Sequence, residues 1–434
     1  MTEKQESSQT SSASKTYNPA AIEPDVDFIR TLTRLGGTDF KHCMQCGTCS
    51  VTCSLSPDRV PFPRKEMTWS AWGLKDRLMG DPDLWLCHQC NDCSTSCPRG
   101  ARPGDLMAVV RQEVIAEYSM PHFLGRWVNN PKFVLPLLVI PAVLLGVALL
   151  VKNQIGSALG FSAELGDKVS FPYSPGLFPH WLLNSFFFFF SALVLIAAVT
   201  GIIRFWRKLR AAGADEGFSP VGKSIFQSTI AAVRKIFVHD NFTLCSTPSP
   251  RFLPHFGVFF GFIALSFVTL WAITSSINPL MQEEFVYPFN FWNPLKILAN
   301  LGGLAIILGC IFMIYDRIYG EHAGNSTYSD WAFLSALVAV VGTGFITELL
   351  HYARLAPHRH VAYFIHLVFV FALIMYLPYS KFAHLIYRTV ALAYLEFTGR
   401  TPAEPASIRV RSQMASAQSK FGKKQELQTN KGTM

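Results

Sequence analysis

Six stretches without a charged side chain succeed one another along the chain, at 133–151, 181–203, 252–277, 297–315, 331–347 and 361–380. Each is close to the ~20 residues that cross a hydrocarbon layer ~30 Å thick. Inside such a layer every backbone N–H and C=O must be paired within the segment, so spans of this length are helices. One buried helix of a soluble protein can be this apolar; six in series cannot. Composition agrees: 50% of the 434 residues are hydrophobic, 36 of them Phe, and only 15% are charged, against about a quarter in soluble domains. The fifth stretch is short and should continue past Glu348.

The net charge of +9 lies beside the apolar spans, where the positive-inside effect accounts for it; no nucleic-acid partner is expected. The N-terminus, Met-Thr-Glu-Lys-Gln-Glu, lacks the apolar core of a signal peptide, so it should stay inside. The 204–251 connection then falls inside with eight Lys/Arg against three acids, and the tail from Arg388 adds another eight. The opposite loops at 152–180, 278–293 and 348–360 carry two, none and two. A multi-pass protein of the cytoplasmic membrane with both termini cytoplasmic follows. Within 204–251, Ile225, Phe226, Ile230, Val233, Ile236 and Phe237 share a helical face. That reads as an interfacial amphipathic helix, or as a short helix packed on the soluble part.

That soluble part carries two cysteine runs of identical spacing. Cys43, Cys46, Cys49 and Cys53 form C-x2-C-x2-C-x3-C, and Cys87, Cys90, Cys93 and Cys97 repeat it, followed by Pro98. Four thiolates so spaced can hold one cubane, and in two-cluster proteins the fourth often ligates the other cluster. Two [4Fe–4S] clusters are expected, with Cys53 and Cys97 candidates to cross over. The plain alternative is a pair of structural zinc sites, which prefer paired cysteines. Eight of ten cysteines lie in these runs, which points to a reducing compartment; Cys245 and Cys310 read as free thiols.

In order, residues 1–23 read as a disordered tail and 24–132 as a helical two-cluster domain. Residues 133–390 read as a six-helix membrane domain and 391–434 as a basic cytoplasmic tail. Between the cysteine runs, Met67, Ala71, Leu74 and Leu78 mark a helix over 64–79. Arg102-Pro103-Gly104-Asp105 opens another over 106–118. The fold class expected is all-α.

Ionisable groups within a span are functional candidates. His366 lies in the sixth span and His384 eighteen residues on, five turns of an ideal helix and ~27 Å away, so the two cannot share one metal. Pro378 between them can bend that register. His255, near the start of the third span, matches His384 in depth, and a bis-histidine haem b between them fits. His366 needs a partner at the other surface; His351 is preferred over His180. Each histidine taken alone has a plain reading as a hydrogen-bonded interfacial residue. Glu348, one turn before His351 and near Arg354, can accept a quinol proton or form a buried pair with Arg354. Glu348, His351 and Arg354 are the candidate quinone site.

These residues carry a resemblance. The segment from Cys43 to Gly100, with Pro-Arg-Lys, Trp-Gly-Leu-Lys-Asp and Leu-Trp-Leu-Cys between the cysteines, resembles the C subunit of heterodisulfide reductase. The spans from Phe133 resemble cytochrome b subunits of the nitrate reductase gamma type. Their fusion resembles the C-subunit family of the quinone-interacting membrane-bound oxidoreductases of sulfate-reducing prokaryotes. That resemblance implies haem b, one or two, and menaquinone as cofactors. It implies flavoprotein and iron–sulfur partners, the A and B subunits of the same complex, with adenylylsulfate reductase downstream. One departure stands out: where the nitrate reductase family has a second histidine on the third span, this chain has Leu265. The Cys-Cys-Gly motif of the catalytic disulfide reductase subunits is also absent.

The reading is an electron-transfer component of a quinone oxidoreductase complex, moving electrons between menaquinone, haem b and two clusters. The alternatives are the membrane component of a heterodisulfide-reductase-like complex and a non-catalytic anchor.

Overall fold

The computed structural model describes residues 23–56, 61–158, 177–239, 252–278, 289–320 and 324–400. The expected N-terminal tail, Cys245 and the tail beyond Arg400 lie outside these. Among the described residues every regular element is helical. Seven short helices make the N-terminal part: α1 (Val26–Arg34), α2 (Thr48–Thr52), α3 (Arg64–Ala71), α4 (Lys75–Met79), α5 (Asp92–Thr95), α6 (Pro103–Tyr118) and α7 (His122–Val128). Six helices long and apolar enough to cross a membrane follow. They are α8 (Val134–Ala158), α9 (His180–Asp215), α11 (Phe252–Ile277), α12 (Pro294–Tyr319), α13 (Tyr328–Tyr352) and α14 (His358–Met375). Between α9 and α11 lies α10 (Ile225–Val238), and α15 (Ala383–Phe397) follows α14.

The expected 64–79 helix is two helices. Gly73 takes a left-handed φ of +66°, and a Cβ there would stand 2.8 Å from the carbonyl of Asp25. Three residues of the expected stripe, Met67, Leu74 and Leu78, are buried, whereas Ala71 at the end of α3 is exposed. α6 begins at Pro103, whose missing N–H costs nothing in a first turn. It runs through the domain's centre, burying Leu106, Met107, Val110 and Val114.

Two expectations change. The span expected to run 361–380 ends at Met375, and a 3-10 turn at Leu377–Tyr379 separates it from α15. Pro378 cannot donate to a helical ladder and its ring collides with the preceding turn. His366 and His384 therefore sit on different helices, and the five-turn register between them is void. The domain boundary at 390 falls inside α15, and the N-terminal domain does not close within residues 24–132. Its core takes in Phe205 and Leu209 of α9 and Ala383, Tyr387, Ala391 and Tyr394 of α15. Trp85 stacks on Tyr387 at 5.6 Å and 17°. α9, at 36 residues, is ~54 Å long, so it leaves any membrane and continues as part of that core.

Below this core lies a buried charge cluster. Lys65 Nζ contacts Asp81 at 2.8 Å, Asp83 at 2.7 Å and Glu66 at 3.4 Å. Arg400 binds Asp83 and, at 3.3 Å, Glu216. Burial keeps the Glu66 carboxyl protonated well above the usual range. The three carboxylates Glu66, Asp81 and Asp83 lie as close as metal ligands would, but the Lys65 ammonium already supplies their cation.

α10 packs on the rest of the chain along one face. Ser228 and Ala232 are buried, Ala232 in a core shared with Leu392 and Leu395 of α15. Ile225, Phe226, Ile230 and Phe237 remain exposed, as a face laid on lipid would be.

Candidate redox centres

The cysteine runs share a backbone conformation as well as a spacing. In each, the residue two after the first cysteine has positive φ, Gln45 at 62° and Gln89 at 57°. The residue after the second does too, Gly47 at 84° and Asn91 at 66°. A short helix then carries the third cysteine, α2 in one run and α5 in the other. Such alternations point successive N–H groups to one side, making a concavity for anions; Gln89 N–H donates to Cys87 Sγ at 3.3 Å.

A small cavity lined by Cys53, Cys87, Cys90 and Cys93 joins the end of the first run to the second. Burial pushes the Cys53 thiol up to about 12, and Cys87 and Cys90 beside it add to the rise. Burial pushes Cys49 up to about 11, with Cys43 as its nearest contributing thiol. Thiolates that oppose one another's ionisation need a cationic centre among them. A tetrahedral zinc would hold sulfurs about 3.8 Å apart, given ~2.3 Å bonds. Among the described residues no three cysteine sulfurs lie within 4.8 Å of one another, a wider spread than that spacing.

Next to the second run opens a cavity of about 350 Å³, walled by Cys87, His88, His239, His255 and His384. Hydrogen bonds assign the tautomers. His384 Nδ1 donates to the carbonyl of Lys381 at 2.6 Å. His239 Nδ1 donates to the carbonyl of Phe237 at 3.2 Å, so its Nε2 accepts from His255 Nδ1 at 3.3 Å. Both His255 and His384 thus carry the lone pair on Nε2, the form that coordinates metal. Apolar groups, among them Val258, Phe262, Phe333 and Leu334, make most of the wall. Arg111 and Arg388 reach in from the cluster side. Arg111 Nη1 donates to the Cys87 carbonyl at 2.9 Å, and Arg388 Nη2 to His88 Nε2 at 2.7 Å. Burial, then Arg388 and Arg111, hold His88 well below the usual imidazole range, so it is neutral. At the floor Asp330 pairs with Lys381 and with Arg317 at 3.4 Å.

At the opposite end the structure divides the expected set. His366 gives Nδ1 to Thr343 Oγ1 at 3.1 Å, and the space left by Gly344 lets its ring lie against α13. His351 is two turns further along α13, about 11 Å from that level, so the structure does not bring His351 and His366 together. His180 opens α9, and its side chain lies outside the described residues. Leu265 packs with Ile306, Leu337 and Val341. Glu348 pairs with Lys296 Nζ at 2.8 Å and accepts from Asn300 Nδ2 at 3.0 Å; this replaces the pair expected with Arg354, which ends α13 in the left-handed region at φ 54°. Sequence reasoning missed Lys296 and His239. Lys296 could have been found from its depth: it starts one arm of the hairpin that Glu348 ends.

Residues 39–101 match the family described as 4Fe-4S dicluster domain. The same part is 36% identical over 90 residues to the C subunit of the H(2):CoB-CoM heterodisulfide,ferredoxin reductase of Methanothermobacter marburgensis, covering 20% of this chain and 48% of that one. It is also 36% identical over 92 residues to a protein like the C subunit of heterodisulfide reductase from Archaeoglobus profundus, with the same coverage. The match thus spans about half the length of these curated relatives. Citrate utilization protein B of Escherichia coli is 24% identical over 379 residues, 81% of this chain and 88% of that one. No solved structure matches. The chain therefore has a ferredoxin domain resembling the C subunit of heterodisulfide reductase, followed by six helices long and apolar enough to cross a membrane.

Proposed function

We propose that this chain is the membrane component of a quinone oxidoreductase complex, linking menaquinone through haem b to two [4Fe–4S] clusters. One cubane is held by Cys87, Cys90, Cys93 and Cys53, the other by Cys43, Cys46, Cys49 and Cys97. The observation that carries the reading is the cavity whose wall holds His255 and His384 together with the cluster residue Cys87. Bound there, haem would pass single electrons between a two-electron quinol and the clusters. His255 and His384 would hold its iron, and Arg111 and Arg388 would face its propionates. The Cys87–His88 segment and Arg388, four residues after His384 on α15, give a short bonded route from cavity to cluster.

The quinone site proposed is the end of α13 around Glu348, His351 and Arg354, with His366 deeper. Glu348, held by Lys296 and Asn300, would take a quinol proton. His366 would need an iron partner other than His351, so the cavity supports one haem. Flavoprotein and iron–sulfur subunits would receive the electrons in the cytoplasm, with adenylylsulfate reductase downstream. The resemblance of the cluster domain to heterodisulfide reductase subunits keeps a complex of that kind as the second reading.

Optical redox titration of the purified full chain tests this. His255→Ala and His384→Ala should each remove the same haem and leave cluster iron intact. Loss of different haems, or none in the wild type, ends the reading. Glu348→Gln should slow menaquinol oxidation at least tenfold; an unchanged rate removes that carboxylate from the mechanism.

A further inference from the structure

We infer that His239 is a positioning residue for the axial imidazole of His255, and this rests on the haem reading above. The chain of donors runs in one direction. Phe237 O accepts from His239 Nδ1, and His239 Nε2 accepts from His255 Nδ1. His255 is thereby fixed in the tautomer that offers Nε2 to the cavity. An acceptor on the far nitrogen also raises the donor strength of a ligating imidazole.

Two further observations single out His239. It ends α10 in the left-handed region, at φ 57°, where glycine or asparagine is the usual occupant. A histidine there keeps a strained backbone while only 5% exposed. Its ring is also gripped: His255 lies 5.4 Å away at 71°, Phe259 5.3 Å away at 81° and Phe256 5.6 Å away. The opposite ligand is held differently, His384 by the carbonyl of Lys381. One axial imidazole therefore has a backbone acceptor, and the other a side-chain acceptor that substitution can remove.

The test uses the full chain in detergent. His239→Asn tolerates the left-handed backbone, but its short side chain cannot reach His255. Haem and iron content per chain should stay at wild-type levels. The less basic ligand should favour ferric iron about tenfold less, raising the haem midpoint potential by about 59 mV for a one-electron couple. The low-spin ferric resonance should shift as the ring loses its fixed orientation. His239→Gln, whose amide oxygen can accept the same proton, should bring both back toward the wild type. An unchanged potential in His239→Asn overturns the inference. So does loss of haem as complete as in His255→Ala, which would make His239 a ligand itself. A wild-type chain without haem would instead remove the reading beneath it.

Discussion

At the scale of single residues, the cysteines make a test of which sulfurs share a cluster. If Cys53 closes the cluster of Cys87, Cys90 and Cys93, then Cys53→Ala and Cys90→Ala remove the same cubane. The double variant should then retain about four cluster irons per chain, as each single does. Cys53→Ala with Cys46→Ala should retain no cluster iron and no sulfide. Iron and sulfide analysis of anaerobic protein reads the difference, and the reverse pattern would return Cys53 to its own run. The eight cysteines were legible because a cubane demands fixed spacing and sequence records spacing. His255 was singled out because a histidine at a span's edge stands out against its neighbours, and the structure sets it in one cavity wall with His384. His239 was not: it meets His255 where the end of α10 packs on the start of α11, a contact between elements that no local pattern encodes. Arg354 was paired with Glu348 on nearness in sequence, whereas antiparallel helices put Lys296 nearer in space.

At the scale of helices, the spans were legible from length and polarity, and their contacts were not. α11 and α12 lie against each other through glycines. A Cβ on Gly261 would stand 2.5 Å from the Gly302 carbonyl, and one on Gly309 2.7 Å from the Pro254 carbonyl. Small residues at such crossings let backbones close without lipid between them. Gly261→Leu should force the pair apart and shift His255, lowering haem content at least several-fold while leaving cluster iron unchanged. Retention of full haem would show that α11 is not held by this crossing.

Helix α10 is held to α15 by charge. Glu396 accepts from Lys223 at 2.8 Å and also binds Lys235. Burial alone would raise its carboxyl, but the two ammonium groups hold it below the usual carboxylate range. A depressed folded pKa means the contribution is full above the unfolded value of about 4.3 and is lost as pH falls through the folded one. Protection from hydrogen exchange over 225–238, relative to the intrinsic rate at each pH, should therefore be full at neutral pH and fall as the pH drops through the depressed carboxyl's range. Glu396→Gln should lower it at pH 7.

At the scale of the whole molecule, the division into a cluster domain and a membrane domain was legible, but the seam was misplaced. Composition changes where the spans begin, and that marks where lipid starts. It does not mark where a core ends. Arg400, seated on Asp83 and Glu216, was read as one charge of a basic tail. Its guanidinium is 4% exposed. Arg400→Met would leave Asp83 with one cation fewer in a buried site, at a cost of about 3–5 kcal/mol. Thermal unfolding followed through cluster absorbance should show that loss, and a melting curve equal to wild type would demote the clasp.

The part played by α15 has a consequence in time. A ribosome makes residues 39–101 early and α15 only after every apolar span has gone by. Until then Trp85 lacks Tyr387, and the core that includes Met79, Leu84 and Tyr118 lacks one wall. The cluster domain, made before the apolar spans, is thus among the last parts to finish folding. Iron delivery before that moment would meet an open shell; delivery after it would meet a chain whose membrane helices have already been made. Maturation of the metal centres is in this way tied to completed insertion, and a ribosome stalled short of Ala383 would leave a protein in the membrane that cannot close around its iron.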